Sequence, residues 1–178
     1  MDLELLTWML ARVAGLSAFA ALSMSLLSGL AIRTGVLDWL GGNRVLRSVH
    51  EYTTVLWIPL AALHLIALLF DRTSRIGIAD LFVPFHSEYG ALAIGLGALS
   101  LDLLLVVTVT AWLKRWIPGE LWKWLHRLAY AAFALIFFHA LLSGTDFSDP
   151  AVSAITWSSA AALMALGVAR VMWGRLPA

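Results

Sequence analysis

Two apolar stretches with matching histidines constrain this chain more than any other feature. Between Val45 and Asp71, His50 and His64 are 14 residues apart; between Leu121 and Gly144, His126 and His139 are 13 apart. These four are all but one of the five histidines in the protein. A helix rises 1.5 Å per residue, so the members of each pair are about 20 Å apart along the axis. That separation suits two centres stacked through one bilayer, whose hydrocarbon core is about 30 Å thick.

Composition says the bilayer is the right solvent. Of the 178 residues, 61% are hydrophobic and 13% charged, where soluble domains average about 45–50% apolar and about 25% charged. Five segments reach the length of about 20 mostly apolar residues that a spanning helix needs. They run from Trp8 to Ile32, Leu46 to Phe70, Tyr89 to Leu113, Trp122 to Leu142, and Val152 to Trp173. In lipid only a helix satisfies its own backbone, so the expected fold is an all-α bundle of five transmembrane helices forming one domain over 1–178. The start, MDLEL, is acidic where a cleavable signal is basic, and it reads as part of the first span. Cysteine is absent, which excludes thiolate metal sites and iron–sulfur clusters within the chain and leaves histidine as the good transition-metal ligand. A net charge of +1 gives no reason to expect nucleic acid.

Charge asymmetry gives an expected orientation. Arg33, Arg44, Arg47, Lys114, Arg115, Lys123, Arg127, Arg170 and Arg175 fall on one side, and Arg12, Arg72 and Arg75 on the other. The second side also holds most of the acids, among them Asp2, Glu4, Asp146 and Asp149. By the positive-inside rule the N-terminus is outside and the C-terminus cytoplasmic. Trp39, Trp112, Trp116, Trp122, Trp124 and Trp173 then collect at the inner interface. In this topology the second and fourth spans run parallel. His50 matches His126 in depth near the cytoplasmic face, and His64 matches His139 near the outer face.

An imidazole in hydrocarbon is costly without a partner, so four at two matched depths ask for a common explanation. Two b-type haems, each with an imidazole on both faces of its iron, supply one. At 100° per residue, His64 returns to within about 40° of His50, whereas His139 ends about 140° from His126. The fourth span must therefore bend, change its winding or serve haems displaced sideways, and Pro59 is expected to kink the second.

These spacings, with the phrases LHRLAYAAFALIFFHALLSGTD, LARVAGLSAFAALSMSLLSGL and ADLFVPF, resemble the ferric-reductase-like transmembrane family. That family includes the membrane domains of NADPH oxidases and ferric reductases and the haem subunit of the bacterial system that repairs oxidised methionine. The resemblance implies haem ligation by His50, His64, His126 and His139, paired as above, and single-electron transfer outward across a bacterial cytoplasmic membrane. Many relatives have a sixth span and a flavin and nicotinamide domain. This chain shows five spans, ends at GRLPA and has no glycine-rich dinucleotide fingerprint. A separate flavin-containing reductase or a quinol is therefore the expected donor. Ferric iron, oxygen or a periplasmic partner protein is the expected acceptor. Two rivals stay open: a quinone-reactive di-haem subunit of a larger respiratory or photosynthetic complex, and a haem-poor membrane scaffold.

Other residues suggest supporting roles. Trp57 and Phe133 lie midway between the ligands of their spans, where an aromatic shortens an electron path or simply packs. Arg47, Lys123 and Arg127 near the inner ligands, and Arg72 and Arg75 beyond the outer end of the second span, suit haem propionates; interfacial anchoring explains the inner group equally well. Asp102 is a mid-span carboxylate, a proton relay or a group bonded to a neighbouring helix. His86, with Glu88 close by, falls in an outer loop where an acceptor or metal ion could dock. Gly15, Gly29, Gly95 and Gly97 leave room for a porphyrin or for close helix packing.

Overall fold

The computed structural model describes residues 3–35, 42–144 and 148–173. Asp2, Trp39, Asp146, Arg175, the Trp173 side chain and the GRLPA end lie outside the described residues. Among the described residues, regular structure is entirely helical: α1 (Leu3–Thr34), α2 (Gly42–Phe70), α3 (Ile78–Phe82), α4 (Ala91–Trp112), α5 (Gly119–Ser143) and α6 (Pro150–Trp173), with a 3₁₀ turn at Lys114–Trp116. All but α3 are long and apolar enough to cross a membrane. These five match the five predicted spans, and α3 occupies the connection between the second and third.

Local chemistry sets the helix ends. Gly35, in the left-handed region at φ 75°, ends α1, where a Cβ would be strained. Past the end of α2, Asp71 Oδ1 accepts from the Thr73 amide at 3.0 Å and from its hydroxyl at 2.7 Å, and Ser74 Oγ donates to the Leu68 carbonyl at 3.0 Å. Gly90, at φ 58°, precedes α4. Asp149 caps α6, with Oδ1 accepting from the Ala151 and Val152 amides at 2.9 and 3.1 Å, and Pro150 fills the first helical position, where no amide is needed. Both α2, with Pro59 inside it, and α5 run without a break. The 13-residue spacing is thus carried by one continuous helix.

Backbone contacts divide the chain into two compact units, Met1–Val13 with Leu63–Thr145, and Ala14–Ala62 with Asp146–Ala178. In the first, α4 packs along α5 and against α3, burying Ala98, Leu104, Val107, Ala132, Phe133 and Phe137. In the second, the buried residues include Ala14, Ala18, Leu22, Leu26 and Leu30 of α1 with Leu46 and Trp57 of α2. The alanine-rich α1 is the most enclosed span, with 56% of its most apolar window buried against 11–28% for the others. Along those others, large apolar side chains such as Val55, Leu92, Met164 and Val171 are exposed, as helices meeting lipid require.

Candidate functional site

Helix α2 presents His50 and His64, and α5 presents His126 and His139; all four imidazoles are half-buried. Three are oriented by one device. The Nδ1 of His64 donates to the Ala11 carbonyl at 2.7 Å, that of His139 to the Ala93 carbonyl at 2.8 Å, and that of His50 to the Ser25 carbonyl at 2.8 Å. A carbonyl only accepts, so Nδ1 carries a proton, and in the neutral form of such a ring the lone pair is on Nε2. Metal-bound histidines almost always donate their other ring N–H in this way, which fixes the tautomer and the ring plane. The acceptors Ala11 and Ser25 are separated by the same 14 residues on α1 as His50 and His64 are on α2.

Each environment adds detail. Ser25 Oγ is 3.3 Å from His50 Nδ1 and 2.7 Å from Thr54 Oγ1. A Cβ on Gly29 would be 3.2 Å from His50 Cε1 and Nδ1, and one on Gly97 would be 2.7 Å from His139 Nδ1. These two glycines therefore admit an imidazole against the backbone. His64 and His139 belong to the same compact unit. His126 is stacked on Trp122, one turn earlier in α5, with ring centroids 5.0 Å apart and planes 16° apart. Among the described residues, no three His, Asp or Glu side chains gather as ligands of a bare metal ion would. A bis-imidazole haem needs only two per iron, and three rings that donate from Nδ1 to a main-chain carbonyl fit that donor set.

The remaining sequence candidates are more dispersed. Trp57 and Phe133 are both 7% exposed, in keeping with midspan packing positions. Arg47, Arg72 and Arg75 are exposed. Arg72 lines a cavity of about 190 Å³ with Leu3, Glu4, Thr7 and Phe70. The Arg127 guanidinium sits 4.7 Å from the centre of the Trp124 ring, and Lys123 pairs with Glu120 at 2.7 Å. None of these basic groups hydrogen-bonds a histidine among the described residues. Asp102 is half-buried and makes no hydrogen bond or ion pair among the described residues.

The connection between α2 and α4 is organised around Asp80. His86 Nδ1 pairs at 2.8 Å with Asp80 Oδ1, not with Glu88, because α3 turns Asp80 back towards it. Gly95 makes room for the ring of Phe85, which is held at φ 64°; its missing Cβ admits a loop aromatic and not a porphyrin. The Gly77 amide donates to Asp80 Oδ2 at 2.8 Å. That bond first, and His86 second, hold the Asp80 carboxyl below the usual carboxylate range. A depressed folded-state pKa gives stabilisation that is present above the unfolded value and lost as pH falls through the folded one. The protection of the Gly77 amide over its intrinsic exchange rate is therefore expected to fall on acidification through that range, and in Asp80→Ala to be low already at neutral pH. Equal exchange in variant and native protein would contradict this turn.

What the sequence did not reveal is the set of carbonyl acceptors, Ala11, Ser25 and Ala93, since main-chain groups leave no residue signature. The stacking of Trp122 on His126 was legible in principle, because residues four apart share a helix face.

Five apolar helices with four half-buried imidazoles define an integral membrane protein of the histidine-bearing helical class. Residues 14–137 match the family described as ferric reductase like transmembrane component. The chain belongs to that family. A search of curated proteins finds no match.

Proposed function

We propose that this chain is a membrane b-type cytochrome that relays single electrons across the bilayer, with His64 and His139 holding one haem and His50 and His126 also serving as iron ligands. The observation that carries the proposal is the set of three Nδ1–carbonyl bonds. Each commits Nδ1 to a main-chain carbonyl, the orienting bond that metal-bound histidines almost always make through their other ring nitrogen. If bound, haem would supply a one-electron centre, and His50, His64, His126 and His139 are the residues that would hold it.

The chain's own residues orient and insulate. Carbonyls of α1 and α4 fix three ring planes, Gly29 and Gly97 seat two of those rings against the backbone, and Trp57 and Phe133 exclude water from the span between ligand levels. The donor is a cytoplasmic flavoprotein or a membrane quinol, and the acceptor lies at the outer face of a bacterial cytoplasmic membrane. The test uses haem-loaded protein in sealed vesicles enclosing ferricyanide, with dithionite added outside. Reduction of the enclosed ferricyanide well above that in protein-free vesicles is expected. Equal rates would overturn the relay.

A further inference from the structure

Trp122 is unlike the other tryptophans near the α4–α5 turn. Trp112, Trp116 and Trp124 are 72%, 73% and 65% exposed, as interfacial anchors are. Trp122 is half-buried, its indole face lies 5.0 Å from His126 at 16°, and the Lys114 ammonium sits over its ring at 4.2 Å. An interfacial tryptophan is ordinarily turned so that its N–H reaches a polar partner. The Trp122 N–H is buried and makes no hydrogen bond among the described residues. Its orientation thus serves its faces and not its donor. The four-residue spacing puts Trp122 on the same side of α5 as His126 and directly beneath it in the helix.

We propose that Trp122 is a positioning residue for His126: the stacked indole sets the plane of this imidazole, and Lys114 holds the indole in place by a cation–π contact. The proposal rests on the reading of His126 as an iron ligand. In a bis-imidazole haem the angle between the two ring planes governs the low-spin iron's magnetic anisotropy, and ligand orientation contributes to its reduction potential. A brace on one ring is therefore visible in the spectrum of one centre.

The experiment compares oxidised, haem-loaded native protein with Trp122→Leu, Trp122→Ala and Trp122→Phe by low-temperature electron paramagnetic resonance and redox titration. Phenylalanine keeps a stacking face; leucine keeps apolar bulk without one and covers the case in which the alanine variant fails to fold. The expected result is a shifted and broadened highest g-value for one of two low-spin signals in the leucine variant, with its midpoint potential displaced. The second signal stays unchanged, and phenylalanine restores the native line. Native signals that persist unaltered in Trp122→Leu overturn the brace and leave the haem reading intact. Native protein without any bis-imidazole signal overturns the haem reading and the brace together.

Discussion

Replacing His139 with alanine is expected to remove one of the two proposed low-spin haem centres and to leave the other. His139 belongs to the same compact unit as His64, and its Nδ1 is tied to the Ala93 carbonyl at 2.8 Å. The ring is consequently oriented before any iron arrives. Alanine deletes the Nε2 donor outright, and nothing nearby replaces it: Ser143 Oγ, 3.4 Å from His139 Nδ1, is a hydroxyl and a poor ligand for haem iron. The variant either loses the haem or retains it with His64 alone, as a five-coordinate high-spin centre that binds carbon monoxide. Both outcomes halve the low-spin signal and remove one component from a redox titration. Two undiminished low-spin components in His139→Ala would exclude His139 as a ligand.

Enlarging Gly97 is expected to damage the same centre without touching a ligand. An added Cβ would meet His139 Nδ1 at 2.7 Å, Cε1 at 2.9 Å and Cγ at 3.2 Å. Separations below about 3.0 Å are not tolerated in packed interiors, and the struck atoms belong to a planar ring that cannot fold away. The ring must shift, which stretches the bond to Ala93. Losing an orienting partner of a metal-bound histidine costs about 10–100-fold in affinity, so haem occupancy at this centre falls sharply in Gly97→Ala and further in Gly97→Val. Gly29→Ala is a measured comparison. Its Cβ would approach His50 at 3.2 Å, a distance that a few tenths of an ångström of movement relieves, so a weaker effect confined to the other centre is expected. Haem titration of the two alanine variants checks the order; a larger loss from Gly29→Ala would contradict the packing at these sites.

Much of this protein is legible in its sequence because lipid enforces a narrow grammar. Long apolar runs can only be helices there; α1, α2, α5 and α6 follow the predicted spans with extensions, while α4 begins two residues and ends one residue inside its predicted span. The four histidines stand out for the same reason, since hydrocarbon makes any imidazole conspicuous. Their supports do not stand out. The acceptors for His64, His139 and His50 are carbonyls of Ala11, Ala93 and Ser25, and neither alanine's side chain hints at that use. Gly29 and Gly97 were readable as places of close approach, but what approaches is the imidazole. Gly95, of the same residue type two positions away, serves Phe85 instead, a distinction that depends on which face of α4 the preceding connection covers. His86 illustrates a further limit: proximity in sequence favours Glu88, while the turn made by α3 brings up Asp80.

Haem quantified per chain in purified protein, expressed with ample haem supply and read with its reduced-minus-oxidised spectrum, tests the central claim most directly. Two low-spin b-type haems per chain are expected. A folded chain that carries none would contradict the assignment of His50, His64, His126 and His139 as iron ligands.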